Sequence, residues 1–302
     1  MLLTMLIVSF LAFLAFQVIT GDPTNTLLGS EATPERVEAL REELGLNRPF
    51  LLRYFDWITH FVQGDFGMSY SYSMPVSEML SGKIQITALL TVIAFVLIAV
   101  VSIPLGILCA SHGGWLDRSL NVVGQITMSV PPFFTGIILT WIFGVLLHWF
   151  SPGGFIDPSA DFWGSVRYLI FPAVSIALPR IAMTTQMLRS GIMEELHKDY
   201  VRTAYSRGLD RHSTLYRHVL RNAVVPTVAF LAMTIADIVA GSVVVEQVFA
   251  IPGLGRLLLH SISNRDYPVV QAIIVLMAFW VVLVNFVADI INQRLDPRLR
   301  LQ

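Results

Sequence analysis

Long apolar segments separated by short polar stretches dominate the pattern of this chain. Six segments are long enough, at about 20 residues, to cross a hydrocarbon core about 30 Å thick. They lie at roughly 2–20, 86–109, 120–149, 168–189, 223–245 and 269–292. The pattern therefore predicts an all-α integral membrane protein with six transmembrane helices.

Two details modify this prediction. The first segment could be a cleaved signal peptide, but no basic residue precedes the apolar run, the run is too long, and no A-x-A pattern follows it. We therefore expect a retained span. Pro131 and Pro132 should bend the third segment. Pro172 and Pro179 interrupt the fourth, where neighbouring helices or water can satisfy the freed backbone groups.

The polar stretch 189–221 sets the expected orientation. It carries seven basic residues against four acidic ones, whereas segment 21–82 holds nine acidic residues against four arginines. Short loops rich in Lys and Arg stay on the cytoplasmic side of a membrane. Both termini are therefore expected in the cytoplasm.

Within this basic loop, apolar and small residues recur every four positions and predict a short amphipathic helix across the membrane surface. They are Leu196, Tyr200, Ala204 and Gly208, widened by Val201, Tyr205 and Leu209. Small Ala204 and Gly208 would let another backbone approach closely. Alternatively, Gly208 simply ends the helix.

Segment 21–82 predicts two further helices. The first is capped by Thr33, with Pro34 at its first position, and ends near Gly45. The second runs over 49–63 and has a broad aromatic face, which either lies in the headgroup region or packs against the bundle.

Another short helix is expected over 254–262, after a Pro252-Gly253 turn. Pro268 should open the last span.

Composition narrows the chemistry. The chain is 55% hydrophobic and 14% charged, against about 25% charged residues in soluble proteins. Its single cysteine, Cys109, excludes an internal disulfide, and its seven histidines show no metal-ligand spacing, so we expect no metal site. No phosphate loop of the form G-x-x-x-x-G-K-[ST] occurs, nor do the hydrolase motifs G-x-S-x-G and H-E-x-x-H. Any ATP-driven activity would therefore need a separate ATPase chain.

Three ionisable residues fall inside or near the end of apolar segments: Arg180, Asp237 and Glu246. A charge at the bilayer centre costs about 2.5–3.5 kcal/mol on insertion scales. We interpret these residues as candidates for a pathway or gate. The alternative is structural pairing with backbone or with a neighbouring subunit.

Motifs spread over nearly the whole chain are similar to those of one family. They are GDP at 21–23, LGLNRP at 44–49, GDFGMSYSYSMPV at 64–76, FPAVSIALPRIA at 171–182, DYVRTAYSRGL at 199–209, RHVLRNAVVP at 217–226, VEQVFAIPGLGRLL at 245–258, NRDYPVVQ at 264–271 and LDPRLR at 295–300. With these motifs the chain resembles the binding-protein-dependent ABC transporter permeases of the dipeptide, oligopeptide and nickel branch. The resemblance implies the type I ABC importer permease fold. Its expected parts are a first span at 1–20, an extracytoplasmic helical segment at 21–82 and a permease core at 83–302.

The resemblance also implies a cytoplasmic coupling helix in loop 189–222 that sits in a groove of an ATPase subunit. The family's E-A-A-x-x-x-G motif departs here to Arg202, Thr203 and Ala204 before Gly208, with a proline at Pro226. The first span also lacks the basic stretch that usually precedes it. The expected coupling residues are Leu196, Tyr200, Arg202, Thr203, Ala204, Tyr205, Arg207, Gly208 and Leu209.

The expected partners are a second permease, two ATPase subunits or domains that bind ATP and Mg, and an extracytoplasmic solute-binding protein. The chain itself would hold no cofactor, in a bacterial or archaeal cytoplasmic membrane. The expected docking residues for the binding protein are Pro252, Gly253, Arg256, Asn264, Arg265 and Asp266. The substrate stays open between peptides and nickel or other metal chelates. A self-sufficient secondary transporter or channel is the alternative function, and a membrane enzyme is a weaker one.

Overall fold

Helices account for nearly all regular structure in the computed structural model, which describes residues 2–20, 24, 28, 33–43 and 46–295. In chain order they are α1 Leu2–Thr20, α2 Pro34–Glu43, α3 Phe50–Val62, α4 Val76–Leu80, α5 Lys83–His112, α6 Gly114–Ser129, α7 Pro132–Leu146, α8 Phe162–Leu196, α9 Asp199–Ser206, α10 Arg211–Val248, α11 Leu254–Ser263 and α12 Tyr267–Leu295. The all-α prediction is confirmed for these residues.

The described helices provide fewer spans by length and composition than the six that the apolar pattern predicts. Four stretches, Val76–His112, α8, α10 and Tyr267–Ile291, are long and apolar enough to cross a membrane. The pair α6 and α7 provides a fifth if it is one broken span, and α1 is apolar over Leu2–Phe16. The count of six remains a prediction.

Prolines affect the helices differently according to their surroundings. The chain bends by 100° between α6 and α7, at Val130 and Pro131, as Pro131-Pro132 predicts. By contrast, α8 runs unbroken through Pro172 and Pro179, so the expected interruption is absent. Pro172 is buried among neighbouring helices. Such packing accommodates a proline within a continuous membrane helix.

The chain divides into two compact units, of which the first comprises Met1–Ile84 and Leu257–Val282. Within it, α3 packs on α1 through Tyr54, which is 5% exposed. The Tyr54 ring lies 5.2 Å from Phe10 and 5.6 Å from Phe13, and its hydroxyl is 2.9 Å from Ser9 Oγ. The expected helices at Thr33 and over 49–63 are confirmed, although Gly45 lies outside the described residues.

Asp266 ties the start of α12 to the segment before α4 in the same unit. Its carboxylate is buried and accepts hydrogen bonds from Ser69 Oγ at 2.5 Å, Tyr70 N at 3.0 Å and Ser71 N at 3.4 Å. Burial, together with the Asp266 charge, raises the pKa of Tyr70 above its ordinary value. A buried carboxylate with several donors is a strong local anchor.

The second unit comprises Gln85–Arg256 and Leu283–Gln302, and its core lies between α5, α8 and α10. On α5 the buried residues recur every four positions, which places them on one helix face. They are Ile86, Leu90, Ala94 and Ile98. They pack with Leu169, Ala173 and Ile176 of α8 and with Leu231, Ile238 and Val245 of α10. This core fixes α8 against α10, which carry the intramembrane charges.

We expect Asp266→Asn to destabilise the protein by about 1–3 kcal/mol, because an amide nitrogen cannot accept a bond and leaves a buried donor unpaired. Thermal unfolding in detergent measures the effect. Asp65→Asn is the matched control, since exposed Asp65 accepts from Gly67 N at 3.0 Å through one oxygen, which Asn also provides. Equal midpoints for the two variants would refute the anchoring role of Asp266.

Candidate functional sites

The loop between α8 and α10 holds a short helix, α9, with defined ends. Helix α8 stops at Leu196, Lys198 takes the N-cap position, and Asp199 lies in the first turn of α9. At the other end, Gly208 has φ +84°, Gly208 N donates to Tyr205 O at 2.9 Å, and Leu209 N donates to Ala204 O at 3.2 Å. This is a Schellman motif, so of the two alternatives for Gly208 the structure supports the helix end.

Helix α9 presents one buried face and one open face. Val201 and Ala204 are 1% and 7% exposed, and Val201 packs in one cluster with Ile192 of α8 and with Leu215 and Val219 of α10. The small Ala204 therefore makes its close contacts within this chain. Tyr200 is partly buried beside the same cluster, and Leu196 packs against it.

The open face carries the residues of the expected coupling set that a partner can reach: Arg202, Thr203, Tyr205 and Arg207 are exposed. Arg202 pairs with Asp199 across the surface at 3.6 Å, an arrangement that contributes little to stability at such exposure. The resemblance combined inward and outward residues into one coupling set, and the fold separates them.

Glu195 fixes the start of α9, a role that the sequence did not reveal. Its Oε2 accepts a hydrogen bond from Tyr200 Oη at 2.6 Å, and Lys198 forms an ion pair with its other oxygen. Burial, followed by this bond to Glu195, raises the pKa of Tyr200 above its ordinary value. The turn between α8 and α9 is therefore closed by a charged, partly buried contact.

A second pair holds the same end of the bundle. Arg189 of α8 binds Asp117 of α6 through two contacts, Nε–Oδ1 at 2.5 Å and Nη2–Oδ2 at 2.6 Å. Asn121 donates to the same carboxylate at 2.9 Å, and Asp117 is 9% exposed. Bidentate Arg–carboxylate pairs fix orientation as well as distance. The start of the 189–221 stretch is thus anchored to α6.

The two intramembrane charges of α8 and α10 pair with each other. Arg180 Nη1 lies 2.8 Å from Asp237 Oδ2, with the side chains 29% and 50% exposed. The structural alternative expected these charges to pair with backbone or with a neighbouring subunit. Instead, the two side chains pair with each other inside this chain. The pair remains open enough on one side to reach a further group.

Glu246, the third intramembrane candidate, has a different environment because it is fully buried at the end of α10. Its Oε1 accepts from Thr87 Oγ1 at 2.7 Å, and its Oε2 accepts from Gly255 N at 2.7 Å and Arg256 N at 3.2 Å. A carboxylate at the start of α11 satisfies the free N–H groups and the helix dipole there. In this conformation Glu246 anchors the turn rather than lining an open path.

The turn between α10 and α11 is consequently tightly held. Tyr168 Oη donates to Phe249 O at 2.6 Å, and Arg256 Nη1 donates to Ala250 O at 2.7 Å. A Cβ on Gly253 would lie 2.5 Å from Glu246 Oε2. These contacts explain the glycine at 253 in the P-G-L-G sequence, because the buried Glu246 carboxylate leaves no room for a side chain there.

The expected docking residues accordingly fall into two groups. Gly253 and Asp266 are buried, so they shape the loops instead of offering a surface, while Pro252 and Arg256 are partly buried. Asn264 and Arg265 are exposed, and in their unit exposed Tyr72 Oη lies 2.8 Å from His260 Nε2. Direct docking remains a prediction for the exposed residues.

We expect Gly255→Ala to cost about 1–3 kcal/mol of stability, because its Cβ would overlap the Val243 backbone and lie 3.0 Å from Glu246 Oε2. Gly241→Ala in α10 is the control, since a Cβ there meets nothing within 4 Å and alanine favours helix. Thermal unfolding in detergent compares the two. A stable Gly255→Ala variant would show that the turn adapts and is not held as described.

Sequence comparisons place this architecture in a family. Residues 102–301 match the family model described as the binding-protein-dependent transport system inner membrane component, and residues 1–91 match the model of its N-terminal part.

No metal-binding group of three or more His, Cys, Asp or Glu side chains occurs among the described residues.

Curated relatives align over nearly the full length. A putative peptide transport system permease protein of Brucella abortus (strain 2308) is 37% identical over 98% of this chain and 95% of its own. The oligopeptide transport system permease protein AppB of Bacillus subtilis is 35% identical over 97% and 94%. The glutathione transport system permease protein GsiC of Escherichia coli (strain K12) is 34% identical over 98% and 95%. The chain belongs to the binding-protein-dependent transport system inner membrane component family, the permeases of ABC importers.

Proposed function

We propose that this chain forms half of the translocation path of an ATP-driven importer for di- or oligopeptides. The relatives named for peptide, oligopeptide and glutathione transport align over 97–98% of the chain. That full-length similarity carries the substrate class. Glutathione is itself a short peptide, so the three names agree on one chemistry.

The proposed complex has a second permease, two ATPase subunits or domains that bind ATP and Mg, and a solute-binding protein. In this arrangement the basic loop 189–222 and both termini face the cytoplasm. The parts 1–20, 21–82 and 83–302 serve as first span, extracytoplasmic segment and permease core. Exposed Asn264 and Arg265 belong to the surface that meets the binding protein.

The single structural observation behind the coupling role is the two-sided character of α9. Its inner face is buried against α8 and α10, so a push on the helix is passed to both. Its outer face offers two arginines, a threonine and a tyrosine to a soluble partner. Because ATP-driven states bind this face differently, they can shift the equilibrium between path conformations.

Charge reversal at Arg202 tests this coupling. In the full complex with ATPase subunits, Arg202→Glu should weaken ATPase capture by about tenfold, a change of about 1.4 kcal/mol. Peptide-stimulated ATP hydrolysis should fall with it, while membrane insertion persists. Co-purification and hydrolysis in proteoliposomes provide the measurements.

Arg167→Glu is the matched control, an exposed reversal near the opposite end of α8. It should leave ATPase capture unchanged. Normal capture by Arg202→Glu would exclude the open face of α9 as the motor contact. ATP-independent peptide uptake by the purified chain alone would instead establish a self-sufficient transporter and contradict the proposed function.

A further inference from the structure

One face of α10 is exposed along much of its length although the helix belongs to the core. Its residues follow a spacing of four, three, four and three, which places them in one line. They are Met233, Asp237, Ala240, Val244 and Gln247. Met233 is 59% and Val244 44% exposed. We call this line the α10 stripe.

The exposed face of α5 provides a contrast within the same unit. Val92, Val96 and Val100 are 57%, 50% and 64% exposed, and all three are apolar. Lipid tails accept such a face without cost. The α10 stripe instead contains the carboxylate of Asp237, which lipid does not accept.

The charged members of this region lie deep in the helices. Arg180 is 18 residues after Phe162 and 16 residues before Leu196. Asp237 is 11 residues before Val248, or about 16 Å at 1.5 Å per residue, which is near half the thickness of a hydrocarbon core. Charges at that depth face protein or water. Half of the Asp237 side chain is exposed in this chain, so another protein surface or water must cover it in the membrane.

The pair also has unused hydrogen-bonding capacity. Among the described residues, the polar contacts of the Arg180 guanidinium are Asp237 at 2.8 Å and Met183 Sδ at 3.9 Å. A guanidinium has five N–H donors, and a carboxylate accepts about four bonds. Each member can therefore bind a group of opposite charge on its open side.

We propose that the α10 stripe lines a water-filled path and that Arg180 and Asp237 hold a dipolar solute in transit. The carboxylate of a solute with both termini free would pair with Arg180, and its ammonium group with Asp237. A solute with one charge would use the open side of only one member of the pair. This inference rests on the proposed function and adds to it a preference for peptides with unblocked ends.

Cysteine labelling tests the water-filled path. In a Cys109→Ala background, Met233→Cys and Ala240→Cys are introduced singly, and the full complex is reconstituted with and without ATP. Charged, membrane-impermeant methanethiosulfonate reagents should label both cysteines in at least one nucleotide state. Val96→Cys on the apolar face of α5 is the control and should stay unlabelled. Assembly is checked by co-purification of the ATPase subunits.

The charge of the pair should set the reagent preference. At Ala240→Cys, adding Asp237→Asn should raise the labelling rate of an anionic reagent relative to a cationic one by at least about threefold, and adding Arg180→Gln should lower it similarly. Unlabelled Met233→Cys and Ala240→Cys in an assembled complex, or equal rate ratios in all backgrounds, would overturn the inference. Absence of labelling would indicate that the stripe is buried against the second permease.

Uptake separates this inference from the proposed function. Trialanine is compared with its N-acetylated and C-amidated forms, each pre-loaded on the binding protein at saturation. The parent complex should favour trialanine, and the double variant Arg180→Gln/Asp237→Asn should lose at least about threefold of that preference. ATP-driven uptake with an unchanged preference would refute the role of the pair alone. Failure of the parent complex to import any of the three peptides would refute the proposed function.

Discussion

Buried or partly buried carboxylates that accept hydrogen bonds from backbone or side-chain donors hold the connecting segments of this membrane protein in place. Glu246 closes the turn before α11, Asp266 joins α12 to the segment at Ser69, and Glu195 closes the turn into α9. Asp117 performs the same task with Arg189. Apolar packing holds the long helices together without specifying the geometry of their ends, because lipid competes equally well for apolar faces. Directional, charge-assisted bonds supply what packing lacks.

Both kinds of interaction hold helix α9. Its inner face is part of the core, while its entry and exit are fixed by Glu195 and by the left-handed Gly208. Neither end of α9 therefore has an unanchored turn between this helix and helices α8 and α10. Those two helices also carry Arg180 and Asp237, so the helices that bury the inner face of α9 hold the intramembrane pair as well.

The apolar pattern was sufficient for the long helices, for α3, α9 and α11, and for the bend at Pro131, because each depends on nearby residues. It failed where the decisive partner is distant in sequence. Asp117 lies 72 residues from Arg189, and Thr87 lies 159 residues from Glu246. Nothing near Glu246 distinguishes an anchor from a gate. Periodicity likewise placed Tyr205 on the apolar face with Val201 and Ala204, although Tyr205 is exposed, since the loop's core side depends on α8 and α10.

The 100° bend between α6 and α7 has a consequence for packing. At 1.5 Å per residue the two helices are about 24 Å and 22 Å long, so neither alone covers a hydrocarbon core about 30 Å thick. Neighbouring contacts come from later in the chain: a Cβ on Gly124 would meet Ala182, and one on Gly136 would meet Phe249. The bent pair therefore cannot complete its packing until α8 and the end of α10 are present.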